Sequence, residues 1–315
     1  MDETPERIQL TASGGSGQRL DQFLASRLAG ISRTRIQRWI ALGAVQVDQR
    51  IRLPSLRLNG FEQIEIEPQP LDSERAFEPD PVPLDIVHQD QDVVVINKPA
   101  GLVTHPAPGH WRGTLMNGLL HADPKAAKLP RAGIVHRLDR DTSGLLVCAR
   151  SEAAFTSLSA QLAERQMGRR YLAIAGGIAE ATGTIDARIG RDARNRLRMA
   201  VVQAPQGKEA RTHFTRLAVS GNAAASAVLC RLESGRTHQI RVHLAAIGHP
   251  LIGDALYGGK PLHGFSRQAL HAWQLRFQHP ANQEACRFDA PIPPDLQQLA
   301  DRFGMTLPDT APEID

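Results

Sequence analysis

The residues best able to do chemistry lie in one run, Gly133-Ile134-Val135-His136-Arg137-Leu138-Asp139-Arg140-Asp141-Thr142-Ser143-Gly144. Two carboxylates stand two positions apart, interleaved with arginines, between an apolar pair and a stretch that reads as a strand. A carboxylate beside a guanidinium is favoured in its ionised form, which suits a nucleophile or base better than an acid. The same pair would also serve as a turn cap or a surface ion pair. A glycosidase-like reading needs two carboxyl groups facing each other across a cleft, and neighbours at i and i+2 are poorly placed for that.

Two later stretches carry further candidates. Tyr171, in Arg169-Arg170-Tyr171-Leu172-Ala173, is one of only 2 tyrosines in the chain, and a ring there is either a stacking surface or a half-buried strand aromatic. Leu232-Glu233-Ser234-Gly235-Arg236-Thr237-His238-Gln239-Ile240-Arg241-Val242-His243-Leu244 reads as a strand, a glycine turn and a helix running to Gly248. His238 and His243 are five helical residues apart, a rotation of roughly 140°, so they cannot share a ligand face and no metal is expected from them. Cys148, Cys230 and Cys286 are widely spaced and odd in number, which argues against a zinc or disulfide framework and fits a reducing cytoplasm. Glycine pairs at 14–15, 176–177 and 258–259 lack the spacing of a phosphate loop or dinucleotide fingerprint, so no cofactor is expected.

The elements that must position these groups fall into two parts. Residues 18–60 form a basic module in which Arg19, Arg27, Arg33, Arg35, Arg38, Arg50, Arg52 and Arg57 face only Asp21 and Asp48. Leu20, Phe23, Leu24 and Leu28 recur at helical spacing. Ser32 stands as an N-cap before a second helix with Ile36, Trp39 and Ile40 on one face. Gly43 ends that helix, and Val45, Val47, Ile64 and Ile66 read as short strands. Prolines 68, 70, 79, 81 and 83 then mark a semi-rigid linker.

From about residue 84 the pattern turns to strands at 93–96, 144–149, 171–175, 183–187, 212–215 and 227–230, with a helix capped by Ser151 and running to about Arg165. Regular strand–helix alternation is missing, so the expected class is α+β with a mixed, mostly antiparallel sheet. The expected organisation is a tail over 1–17, a small αβ domain over 18–75, a linker over 76–83, a catalytic domain over 84–305 and a frayed acidic tail over 306–315.

The whole chain has 315 residues, 42% hydrophobic and 22% charged, with a net charge of +4, which is ordinary globular composition with room for two domains. Five lysines leave 32 of the 37 cations as arginine, a bias that suits phosphate but also follows from codon usage. The polar, acidic N-terminus has no apolar region of a secretory signal behind it, and no apolar run approaches spanning length, so a cytoplasmic location is expected.

The run Gly133-Ile134-Val135-His136-Arg137-Leu138-Asp139-Arg140-Asp141-Thr142-Ser143-Gly144-Leu145-Leu146-Val147-Cys148-Ala149-Arg150 closely resembles the first signature of the RluA-type pseudouridine synthase family. The resemblance covers about residues 84–300. Residues 18–60 resemble an S4 RNA-binding domain, with Asp48 where asparagine is usual and Gly60-Phe61 in place of Gly-Asp. Together they imply an enzyme that isomerises uridine within RNA and consumes no external reactant. Asp139 would be the catalytic aspartate, Tyr171 the stacking aromatic and Arg241 the partner of Asp139. Arg137 would help expel the base, and Asp141 would be structural.

Arg236, at the start of the third signature's helix, would meet phosphate. So would Arg33, Arg35 and Arg38 of the S4-like module, and Lys98, unless Lys98 merely solubilises a strand end. The stretches 97–106 and 253–259 both fit the family, and the former, continuing through 107–110 to Asn117 and then 130–133, looks most like the subgroup acting on large-subunit ribosomal RNA, which is the expected partner of a monomeric protein. The alternatives are another rRNA site or tRNA as substrate, or a non-catalytic RNA-binding protein of ribosome assembly.

Overall fold

The computed structural model describes residues 7–69, 75–195, 197–262 and 264–313. Contacts divide the chain into Met1–Arg75 and Ala76–Asp315.

The first unit contains β1 (Ile8–Thr11), α1 (Leu20–Arg27), α2 (Arg33–Ala41), β2 (Val45–Val47), β3 (Arg50–Ile51) and β4 (Gln63–Ile66). Ser32 caps α2 as its type suggests, its hydroxyl accepting from Arg35 N at 3.3 Å. Asp48 and Gln49 both have positive φ, which closes β2 on β3 in a two-residue turn. The sheet order is β1-β4-β2-β3, and the core joins Leu20, Phe23 and Leu24 to Ile36, Trp39 and Ile40 over Val45, Val47, Ile64 and Ile66. Residues 8–11, expected within a tail, instead form the strand that pairs with the far edge of β4, from Ile8↔Ile66 to Thr11↔Gln63. Their alternation over four residues is too short to stand out from sequence.

The second unit is built on β5 (Ile86–Gln89), β6 (Val93–Lys98), α3 (Leu115–Ala122), β7 (Ser143–Ala149), α4 (Glu152–Ala163), β8 (Gly168–Gly176), β9 (Thr182–Asp186), β10 (Ile189–Arg191), β11 (Met199–Val201), β12 (Arg211–Val219), β13 (Ala225–Leu232), α5 (Gln239–Ala246), β14 (Leu270–Gln278), β15 (Ala285–Asp289) and α6 (Pro294–Arg302). Among the described residues the main sheet runs β5-β6-β7-β14-β8-β13-β12-β9, with β15 also on β14. Among the described residues only β7 and β14 pair in parallel, so the expected mixed, mostly antiparallel α+β class holds. Gly144, at φ 110°, sits where a Cβ would fall 2.2 Å from Ala272 O, so that crossing tolerates no side chain.

Alternation along the strands sends Tyr171, Ala173, Val228 and Cys230 to the face covered by α3 and α5. Leu172, Ile174 and Trp273 go to the face covered by α6, and Val93, Val95, Leu145 and Val147 meet Ala154 and Leu158 of α4 there. Ser151 caps α4 through Ala154 N at 3.1 Å.

Two stretches expected to be loose are packed. Ala76 is buried, and Asn117 Nδ2 donates to Ala76 O at 2.9 Å and Glu78 O at 2.8 Å, so residues 76–83 strap across α3 rather than link freely. At the other end Leu307 and Ala311 join the α6 core and Arg170 Nη1 donates to Pro312 O at 2.6 Å, which ties down residues 307–312 of the segment expected to fray, whose last two residues lie outside the described ones. In both, a few apolar or amide groups find partners that a local reading of prolines and acids does not reveal.

Candidate active site

Asp139 lies in the loop between Ile134 and β7, and that loop is fixed on both sides of it. Thr104 Oγ1 donates to Leu138 O at 2.9 Å, and Lys98 Nζ and Gly101 N each donate to Arg140 O at 2.9 Å. Leu138 is buried, and Thr142 N closes a turn on Asp139 O at 3.1 Å. The carboxylate is thereby presented to a cavity of about 450 Å³ whose lining includes Arg137, Asp139, Tyr171, Arg236, His238 and Arg241.

Arg241 projects from α5 and donates from Nη1 to Asp139 Oδ2 at 2.9 Å, across 102 positions of sequence. Its other edge is held by Asp254, which accepts from Nε at 2.7 Å and from Nη2 at 2.9 Å. Asp254 is only 2% exposed. Burial works against the Arg241 charge, but the bonds and charges of Asp254 and Asp139 more than offset it and hold the guanidinium above its ordinary pKa. Tyr257 lies under the same guanidinium, ring centre 5.0 Å away, and its hydroxyl meets His238 Nδ1 at 2.7 Å and accepts from Met199 N at 3.0 Å. His238, left-handed at φ 57° before α5, brings Nε2 to 3.8 Å from Asp139 Oδ2. Burial lowers its pKa despite Asp139.

Tyr171 is buried on β8 and lines the cavity. Burial raises its phenol pKa, with Arg169 opposing and Asp139 adding to the rise, so the group enters the site as a neutral phenol. His105 and His136 also line the cavity and are kept neutral by burial, down to about 4 and about 3, with neighbouring arginines adding to the effect.

Of the residues singled out in sequence, Asp139, Tyr171, Arg241, Arg137 and Arg236 come together here. Arg137 is exposed at the cavity, and Arg236 donates from Nε to Glu209 O at 3.0 Å. Asp141 takes no part and pairs with Arg140 at 2.9 Å outside it. Lys98 does not behave as a phosphate contact. It is 0% exposed, and its ammonium donates to Pro99 O at 2.8 Å and to Leu102 O and Arg140 O at 2.9 Å. Burial pulls its pKa down to about 7 against the charges of Asp141 and Asp139.

In the first unit Arg33 is bonded to buried Asp21 at 2.8 Å, alongside Arg19 and Gln37. Arg35 stacks on Trp39 at 5.1 Å and donates to Gln69 O, while Arg38 is exposed. Arg33 and Arg35 therefore have intramolecular duties that their position in the sequence did not announce.

Asp254 and Tyr257 were not singled out from sequence, and His238 was weighed only as a metal ligand, not as a neighbour of Asp139. For Asp254 and Tyr257 the signal was the run Gly253-Asp254-Ala255-Leu256-Tyr257-Gly258-Gly259, without a role attached. His243, weighed beside His238 as a ligand, is occupied by Thr212 Oγ1 at 2.9 Å and Ala187 O at 3.0 Å. No helix among the described residues is long and apolar enough to cross a membrane.

Comparison with known proteins identifies the family. Residues 92–246 match the model of the RNA pseudouridylate synthase family, and residues 18–64 match the S4 domain. A ribosomal large subunit pseudouridine synthase D of Neisseria meningitidis serogroup A is 48% identical over 310 residues, which span 94% of this chain and 82% of that protein. Its namesake in Escherichia coli strain K12 is 42% identical over 98% of this chain and 99% of that one. Among solved structures, human RNA pseudouridylate synthase domain containing 1 aligns at a TM-score of 0.53 and 30% identity, covering 74% of this chain and 98% of that chain. With the cavity, its carboxylate–guanidinium pair and these likenesses taken together, the chain belongs to the RNA pseudouridylate synthase family and carries an S4 domain ahead of its synthase domain.

Proposed function

We propose that this protein converts specific uridines of large-subunit ribosomal RNA to pseudouridine, with Asp139 as the nucleophile. The observation that carries the reading is the 2.9 Å bond from Arg241 to Asp139 at the wall of a cavity that Tyr171 also lines. The relatives' names supply the substrate. The target uridine leaves its helix and enters the cavity, and Arg137, exposed at the cavity, fills the vacated stack.

Asp139 attacks the uridine, the N1–C1′ bond breaks and the uracil turns. A C5–C1′ bond then forms, the C5 proton leaves, Asp139 is released and N1 ends protonated. Atoms and electrons balance without an external reactant. Arg241 supplies the counter-charge for Asp139 throughout, and Tyr171 stacks on the base as a neutral phenol. Arg236 contacts phosphate, and the exposed arginines of the S4 unit, Arg38 among them, add salt-dependent affinity. The protein works in the cytoplasm as a monomer.

The test is to incubate the purified protein with unmodified large-subunit RNA in the presence of chelator and to map pseudouridine by carbodiimide treatment and primer extension. The parent yields stops at discrete uridines. Asp139→Asn loses about 10⁴-fold or more in rate while keeping its fold. An Asp139→Asn protein as active as the parent removes the catalytic assignment. A parent that modifies tRNA and not ribosomal RNA removes only the substrate.

A further inference from the structure

The cavity holds more positive charge than its carboxylate answers. Arg131, Arg137, Arg169, Arg236 and Arg241 line it, with Asp139 as the acidic lining residue. Arg241 is satisfied by Asp139 and Asp254, and Arg236 has the Glu209 carbonyl. Arg169 is different. It is 7% exposed, its Nε is buried without a hydrogen-bond partner, and no carboxylate pairs with it among the described residues. An arginine does not discharge by losing its proton, so this is a buried cation left uncompensated, an arrangement that is unfavourable unless something else supplies the counter-charge.

The neighbouring turn is shaped around this side chain. Gly235 has an ordinary backbone conformation that any residue could adopt, yet a Cβ there would lie 2.6 Å from Arg169 Nη1. The glycine leaves room for the guanidinium to lie against the turn, and a Cβ there would push the tip of the Arg169 side chain aside. The turn's own polar groups are already engaged, since Gln239 Oε1 accepts from Arg236 N at 3.0 Å and from Ser234 Oγ at 2.8 Å. What remains open toward the cavity is the guanidinium, whose planar fork matches two oxygens of a phosphodiester.

We propose that Arg169, with Arg236 beside it, forms a recessed phosphate site that seats a phosphodiester flanking the flipped uridine, so that the target nucleotide's backbone is drawn in with its base. The inference rests on the functional reading above. It separates Arg169 from the exposed arginines: they hold RNA at large, whereas Arg169 meets the reacting nucleotide only after flipping. Loss of Arg169 therefore falls on the reaction more than on overall RNA affinity.

The test begins by mapping the uridine that the parent modifies, then places it in a synthetic stem-loop with a neutral methylphosphonate on its 5′ or its 3′ side. The parent is expected to lose tenfold or more in kcat/KM with one of the two neutral linkages. Arg169→Met should lose as much on the ordinary stem-loop and no longer distinguish charged from neutral linkages. Gly235→Ala, which crowds Nη1, should fall between them. The melting temperature of Arg169→Met should equal or exceed that of the parent, because an unpaired buried charge has gone.

A parent indifferent to both linkages overturns the proposal, as does an Arg169→Met protein that still discriminates like the parent. A lowered melting temperature in Arg169→Met does so too, since it marks a structural prop. If the parent modifies tRNA instead, the ribosomal reading falls, and the same comparison on a tRNA stem-loop still decides the phosphate site. A parent that modifies no RNA sinks both.

Discussion

Asp254 grips Arg241 along one edge through two parallel hydrogen bonds, 2.7 Å at Nε and 2.9 Å at Nη2, and so leaves Nη1 directed at Asp139. Both partners of this grip are almost wholly buried. Removing one side of a buried pair costs about 3–5 kcal/mol, because the other charge is left unanswered. Asp254→Ala leaves Arg241 with Asp139 as its counter-charge, so it is expected to destabilise the protein by the low end of that range or less in denaturant titration. Its single-turnover rate should fall about 10²-fold as Arg241 loses its orientation. A variant with parental stability and rate would show that Asp139 positions Arg241 unaided.

Tyr257 joins the same network from below. Its hydroxyl accepts from Met199 N and meets His238 Nδ1, while its ring supports the Arg241 guanidinium. Tyr257→Phe keeps the ring and deletes the hydroxyl, stranding a backbone donor and a ring nitrogen at a cost of about 1–3 kcal/mol. Thermal unfolding should report this loss. The activity defect should appear in kcat rather than KM, since the hydroxyl acts through His238 beside Asp139 and not on RNA. A change confined to KM would contradict that.

Lys98 holds the Asp139 loop from inside. Lys98→Met leaves the carbonyls of Pro99, Leu102 and Arg140 without their shared donor, which should cost about 2–4 kcal/mol and slow the reaction. The salt dependence of RNA binding should stay parental, because no phosphate contact is lost. A slope reduced by roughly 0.7–0.9 would instead mark Lys98 as a phosphate ligand.

Acid should weaken the fold through histidines. Burial drives His105 to about 4, His136 to about 3 and His271 to about 4. All three are depressed below their unfolded value near 6.5, so between roughly 4 and 6.5 the unfolded chain binds more protons than the fold. Stability is then fully present above about 6.5 and is lost as pH falls, by up to about 1.4 kcal/mol per pH unit for each histidine. His136→Gln, whose amide oxygen can still accept from Val147 N, should make the fall in melting temperature shallower. A melting temperature that is flat from pH 7 to pH 4.5 would refute the argument.

The elements were legible wherever a local rule applied. Ser32 and Ser151 behave as caps because a hydroxyl before a helix has free N–H groups to bind. The apolar runs at 93–96 and 144–149 became central strands because they are covered on both faces. The missing strand–helix alternation was enough to predict a mostly antiparallel sheet. Asp139, Tyr171 and Arg241 could be singled out because long signatures mark them, and their types suit the chemistry.

What the sequence could not supply was anything depending on which distant groups meet. Lys98 reads as a solvent-facing cation, and only the fold of residues 98–104 against the Asp139 loop gives its ammonium three carbonyls and removes it from water. Neither Asp141, two positions from Asp139, nor Asp254, set among apolar residues, announces its partner in sequence, yet one pairs at the surface while the other is buried against Arg241. Arg169 shows the limit most clearly. Beside Arg170 it looks like one more basic residue of an arginine-rich chain, but strand parity sends Arg170 to the C-terminal segment and Arg169 into the cavity. Helix and strand periods set the direction of each side chain from its neighbours alone. Desolvation and pairing, which decide whether a charge is a prop, a counter-ion or a binding group, are properties of the assembled cavity.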